Sequence, residues 1–271
     1  MKLSEFTTDP AVFDAFAPTY DTDFTQTRLG KLLRGRVWQT LERTFSPGDH
    51  ILELACGTGE DALWLARQGI QVTATDGSAE MVQTTHLKAQ RAGVENLITA
   101  EQYSFQDFIS SAPPPHPIYD GLFSNFGGLN TIGEWRPLAQ SLAQLVKPGG
   151  RVVLVPMGPL CPWETGWYLL HGRFPEAFRR FKKVSEAKIG ATTIPIWYPS
   201  ARQLKAAFRP WFRHLQTRSL GLWLPPSYLD HLVNRWPGLF SRLNTFEAAT
   251  ARLTSGWGDH YVICFERLSN E

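Results

Sequence analysis

An apolar run that stops at a glycine turn and passes into a helix, followed by a second run that stops at an acid, constrains this chain more than any other feature. The first is 51-ILELACGTGED and the second is 72-VTATD, with Asp76 falling 17 residues after Gly59. A strand that ends in glycines and enters a helix turns free backbone N–H groups and the positive helix end toward one point, where a polar or anionic ligand can dock. Gly57 and Gly59 can take positive φ and carry no Cβ to hold a ligand away. The carboxylate of Asp76, one strand over, can accept both hydroxyls of a ribose. The plainer reading makes the turn a tight strand-to-helix link and Asp76 a helix cap, although Ser78 can cap that helix itself.

The alternation continues. Hydrophobic periodicity and turn residues predict helices over 60–68 and 78–92, strands over 71–75, 96–101 and 119–125, a helix over 135–146 and a strand over 151–155. A polar segment with prolines at 113–117 interrupts them. Parallel strands joined by right-handed helical crossovers follow from such a pattern, giving a doubly wound α/β sheet with helices on both faces. Residues 10–45 read as a helical lead. An aromatic and basic insertion covers 158–195, a capped helix and a strand follow at 200–208 and 214–220, a second helical insertion spans 226–254, and 261–265 is the last strand. A length of 271 residues suits one elaborated domain, 1–271.

At this point 51-ILELACGTGEDALWLARQG with 72-VTATDGSAEMV resembles the first two motifs of the class I S-adenosylmethionine-dependent methyltransferases, of the small-molecule, type 11/25-like branch. The resemblance implies a seven-stranded, mostly parallel Rossmann-like sheet whose last strand is antiparallel, matching 258-GDHYVICFER. It implies S-adenosyl-L-methionine as cofactor and S-adenosyl-L-homocysteine as product. Glu53 would organise the loop, and Ala55, Cys56, Gly57, Thr58 and Gly59 would line the cofactor, with Ala55 standing where the family usually has its first glycine. Asp76, Gly77, Ser78 and Met81 follow from the second motif. The segment 12-VFDAFAPTYD resembles the family's N-terminal helix and nominates Tyr20, with Phe16 toward the acceptor. In 101-EQYSFQD, Ser104 and Phe105 take the adenine position, with Asp107 as a rival; 119-YDGLFSNFGGLN contributes Asn125, Phe126 and Gly127.

The acceptor implied is a small lipophilic or aromatic metabolite, with O- or C-methylation ahead of N-methylation. Methyl transfer from a sulfonium is an in-line displacement that rests on positioning and needs no covalent nucleophile or metal. Hydroxyl and carbon acids also need a base. His171, Glu164 and Tyr168 are the weak candidates for that base, with Asp259 and His260 near the last strand; a solvated or structural role competes at each. Aromatics are 13% of the chain, and Trp163, Trp167, Tyr168, Phe174 and Phe178, joined by Trp197 and Trp223, are the candidate acceptor wall or, equally, the packing of a lid.

Two other functions compete. Gly57-x-Gly59-x-x-Ala62 also fits a dinucleotide fingerprint, but no Tyr-x-x-x-Lys pair accompanies it. A non-catalytic S-adenosylmethionine-binding scaffold would keep the same loop. A net charge of +2 gives no field for nucleic acid, and no N/D-P-P-Y/F motif is present. The basic stretch Arg173, Arg179, Arg180, Lys182, Lys183 and Lys188 lies beside aromatics and is compatible with peripheral membrane contact. Three scattered cysteines offer no zinc spacing, and the early acids argue against a signal peptide; a cytoplasmic location is the expectation.

Overall fold

The computed structural model describes residues 8–110, 118–190 and 192–269; the proline segment at 113–117 lies outside them. The main sheet has seven strands: β1 (His50–Leu54), β2 (Gln71–Asp76), β3 (Ile98–Gln102), β4 (Tyr119–Ser124), β5 (Val146–Leu154), β8 (Phe212–Leu220) and β9 (His260–Arg267). Their order is β3-β2-β1-β4-β5-β9-β8. The first five run parallel, and β9 is antiparallel to both β5 and β8. Ile51, Leu52 and Leu54 of β1 are buried on both faces because helices cover each side, which is why the central strands read as continuous apolar runs. The polar exception is Glu53, buried in the same strand.

One face is packed by α1 (Arg28–Glu42), α2 (Glu60–Arg67) and α3 (Ala79–Ala92), with Leu33, Val37, Leu63 and Ala89 in a shared core. The other is packed by α4 (Phe105–Ser110), α5 (Trp135–Leu145) and α8 (Ala201–Phe208), through Phe108, Leu142 and Leu204. Ser200 and Gln203 close a capping box on α8, the cap expected from the sequence.

The lead at 10–45 is less regular than its periodicity predicts. It breaks into a 3-10 turn at Pro10–Phe16, a π turn at Asp21–Thr25 and α1, whose start Thr27 caps by accepting from the Gly30 amide. Gly30 is required by close approach, since a Cβ there would lie 2.0 Å from the Phe24 carbonyl oxygen. The strand expected over 151–155 begins earlier: Tyr119 pairs with Val146 before the register jumps to Gly121 with Arg151, so Pro148-Gly149-Gly150 is an irregular lead-in rather than a clean stop.

The insertion at 158–195 holds α6 (Pro162–Leu170), α7 (Phe174–Ala177) and an antiparallel hairpin of β6 (Ser185–Ile189) with β7 (Thr192–Ile196) that forms its own two-stranded sheet. The second insertion supplies α9 (Asp230–Arg235) and α10 (Pro237–Thr250), separated at Trp236 because Pro237 opens the second helix.

Candidate functional site

A cavity of about 440 Å³ opens where β1 and β2 end and β4 turns away, the crevice beyond the carboxyl ends of the strands where doubly wound sheets bind ligands. Its floor is the glycine turn. Ala55, Gly57 and Gly59 all have positive φ, at 51°, 55° and 75°. Ala55 is an exception among L residues, holding a left-handed conformation that costs a residue with a Cβ about 1–2 kcal/mol. Cys56 lies between them, its thiol pushed well up by burial and then by Asp76 and Glu53, so it is not a nucleophile poised for reaction.

Asp76 closes the turn from β2. One oxygen accepts from the Gly57 amide and the other from the Ser78 amide, both at 2.9 Å, and the carboxyl lines the cavity. Burial raises its pKa, and the amides of Ser78 and Gly57 oppose that rise. The arrangement fixes two oxygens at the cavity wall with lone pairs to spare, the acceptor pair to which both hydroxyls of a vicinal diol can donate. Ser78 caps α3 by accepting from the Met81 amide and donates its hydroxyl to Asp14 at 2.5 Å.

Across the cavity the wall is built on Asp61 in the first turn of α2. Trp38 donates to it at 2.7 Å, Asn125 at 2.9 Å, and Arg34 makes a buried ion pair with it. Asn125 in turn accepts from the Phe126 amide at 2.9 Å, holding Phe126 at φ 43°. The Arg34 guanidinium lies 5.0 Å from the centre of the Phe126 ring, a cation–π contact. Tyr20 stands at the same wall, its hydroxyl pKa raised by burial. Beneath them, burial drives the Glu53 carboxyl well above its ordinary range, with Asp61 adding to the effect, and Oε2 has no hydrogen-bond partner among the described residues.

Of the residues nominated for the cofactor, Tyr20, Ala55, Cys56, Gly57, Thr58, Asp76, Gly77, Met81, Ser104, Phe105, Asn125, Phe126 and Gly127 line this one cavity. Glu53, Gly59 and Ser78 support it from behind. Asp107 faces elsewhere, accepting from the Ser104 amide at 2.7 Å and hydroxyl at 2.6 Å.

The residues nominated for the acceptor are not at the wall. Trp163 packs on Phe240 and Trp167 lies near His231, so α6 turns its indoles toward α9 and α10. Trp197 is buried against Gly133, and Trp223 donates to Thr250 at 2.9 Å. Phe16 rests by Gly190 at the hairpin tip. Aliphatic side chains of the hairpin, Ala187, Ile189, Ile194 and Ile196, close the cavity instead, with Tyr198 and Arg179 beside them.

The nominated bases are also displaced. His171 is exposed on α6 with Nδ1 at 2.7 Å from the Trp167 carbonyl, and Tyr168 stacks with Tyr228. Glu164 is buried and fully committed: Arg179 donates to its two oxygens at 2.8 Å each, and Arg180 donates at 3.0 and 2.9 Å. Arg180 also pairs with Asp259 at 2.5 Å, and His260 lies edge-on to Phe126 behind the wall. Sequence reasoning missed Phe13, Arg34, Asp61 and Glu134, which line the cavity; Asp61 was visible only as an acid two residues past Gly59.

Burial alone would raise the Glu164 and Asp259 carboxyls, but the arginines, with His260 for Asp259, outweigh it and hold both below their ordinary values. A carboxyl with a depressed folded pKa contributes stability above its unfolded value and loses it as pH falls through the folded one. Denaturant unfolding of the protein is therefore expected to weaken progressively below pH 4.5, the ordinary glutamate value. The Glu164→Gln variant, already weakened at neutral pH, should show a shallower loss; parallel curves would refute the assignment.

A seven-stranded sheet with a reversed β9, a glycine turn and a carboxylate on the neighbouring strand make the Rossmann-like fold of the methyltransferase type. Residues 51–150 match the family described as a methyltransferase domain. A demethylmenaquinone methyltransferase of Mycobacterium marinum is 26% identical over 78% of this chain and 87% of its own length. Another, from Symbiobacterium thermophilum, is 28% identical, and the match covers 52% of this chain and 56% of that relative. The chain thus spans little more than half the length of some curated relatives and most of others. In fold it is similar to the [4+2]-cyclase SpnF, with a TM-score of 0.65, 18% identity and 98% of both chains covered. The match over residues 51–150 and these relatives support a class I methyltransferase with S-adenosylmethionine as its cofactor.

Proposed function

We propose that this protein transfers a methyl group from S-adenosylmethionine to a small lipophilic acceptor, at oxygen or carbon. One observation carries the reading: a single cavity runs from the Gly57–Asp76 turn to the aliphatic hairpin, so a polar nucleoside end and an apolar acceptor end share one space. When bound, the cofactor supplies an electrophilic methyl on a sulfonium. The Asp76 carboxylate would hold the ribose hydroxyls and Ser104 with Phe105 would border the base. Tyr20, Asn125 and Phe126 would fix the opposite end. Ile189, Ile194 and Ile196 would exclude water and orient the acceptor by shape, and such positioning can account for about 7–11 kcal/mol of barrier.

Proton removal from a hydroxyl or carbon acid falls in this reading to Glu134. Among the described residues it is the one carboxylate at the wall with neither a hydrogen-bond nor an ionic partner, whereas Glu60 pairs with Lys88 at 3.0 Å and Asp61 and Asp76 are engaged. The relatives named as quinone methyltransferases support an aromatic hydroxyl or ring carbon as the accepting atom. Incubation with labelled cofactor and a panel of prenylated phenols and quinols, read by mass spectrometry, tests the proposal. Labelled methyl product is expected, with Glu134→Gln reducing kcat by about 10²–10⁴. Tight cofactor binding with no methylated product from any acceptor would instead favour a non-methylating role.

A further inference from the structure

We infer that the outer face of α6, α7 and the turn after them is a docking surface for an anionic lipid bilayer. Five large apolar side chains are exposed within thirteen residues: Leu169, Leu170, Phe174, Phe178 and Phe181. Leu170 is 86% exposed, Phe174 61% and Phe181 56%, although a folding chain has every incentive to cover such groups. Single exposed apolar residues need no explanation, but five gathered so closely along the chain, with Phe178 and Phe181 in ring contact, mark an interaction surface.

The charges around the group indicate what covers it. Lys182, Lys183 and Lys188 are exposed and make no ion pair among the described residues, while the one cation in the patch that does pair outward, Arg173, holds Glu176 at 2.7 Å. Among the described residues, Glu186 is the single exposed acid of the stretch without a partner. Exposed aromatic and leucine side chains fringed by free lysines match an interface that is apolar below and anionic above. A protein partner would need a surface of matching shape; a bilayer needs only this chemistry.

Position adds a reason. The same stretch continues into the cavity wall at Arg179 and then through the hairpin at Ala187 and Ile189, so a bilayer seated on the patch lies beside the aliphatic end of the cavity. A lipophilic acceptor would enter from the membrane without crossing water. This use of the surface rests on the proposed acceptor class; the docking itself does not.

Co-sedimentation of the whole chain with phosphatidylcholine vesicles, with and without phosphatidylglycerol, tests the inference. Partitioning onto the anionic vesicles is expected to be at least about tenfold stronger and to fall as salt is added. The Lys182→Glu/Lys183→Glu variant should lose about tenfold or more of that partitioning. Leu170→Ser/Phe174→Ser should lose it at unchanged charge. Unaltered calorimetric binding of S-adenosylhomocysteine establishes that each variant is folded. Equal binding to neutral and anionic vesicles, or no binding to either, overturns the inference. So does a dimer in light scattering that Leu170→Ser/Phe174→Ser dissolves, since the face would then belong to a second copy. Vesicle binding needs no turnover, so a failed methylation assay leaves this result standing, and absent docking leaves methyl transfer untouched.

Discussion

Replacing Asp61 by alanine is expected to lower the unfolding free energy by about 3–5 kcal/mol, the cost of stranding a buried charge. Asp61 is 3% exposed and Arg34 5%, so the guanidinium left behind gains little solvation when the carboxylate is lost. Burial alone would depress the Arg34 pKa; Asp61, with Tyr20 and Glu60, outweighs it and raises the guanidinium above its ordinary value. The same substitution removes the acceptor of the Trp38 indole and of the Asn125 amide. Those losses propagate to the cavity, because Asn125 holds the Phe126 amide. Chemical denaturation should show the midpoint shift with an unchanged slope; a loss below about 1 kcal/mol would mean that Arg34 finds another partner.

The second large effect is on ligand affinity. Asp76→Ala should weaken S-adenosylhomocysteine by one to two powers of ten, roughly the loss of a charge-assisted hydrogen-bond pair. Both carboxylate oxygens also receive backbone amides, so the substitution frees the Gly57 and Ser78 N–H groups at the same moment. Asp76→Asn separates the two contributions: it keeps an acceptor for one amide but removes the charge and turns an N–H₂ toward the cavity. Calorimetry at matched thermal stability is the readout, and unchanged affinity in Asp76→Ala would refute the role.

The glycine-turn end of the cavity was legible because its determinants are local. A glycine turn after an apolar strand and an acid at the end of the next strand are spaced along the chain as the parallel register of β1 with β2 sets them in space. The hairpin end of the cavity was not legible, for a reason that the tryptophans illustrate. Trp163 and Trp167 belong to a segment whose partners lie some seventy residues on, in α9 and α10, and no periodicity within 158–195 reveals which side they will bury. Ile189, Ile194 and Ile196 carried a strand signal too short to stand out beside the aromatics. Glu164 looked like a free acid until the fold brought Arg179 and Arg180 against it. Arg34 and Asp61 are 27 residues apart, and only the packing of α1 on α2 joins them.

A crystal structure of the protein with S-adenosylhomocysteine decides the account most directly. The nucleoside should lie over Gly57–Gly59 with its ribose diol on the Asp76 carboxylate and its thioether sulfur directed toward Phe126 and the hairpin isoleucines. An empty crevice at saturating ligand, or density bound elsewhere on the molecule, would contradict it.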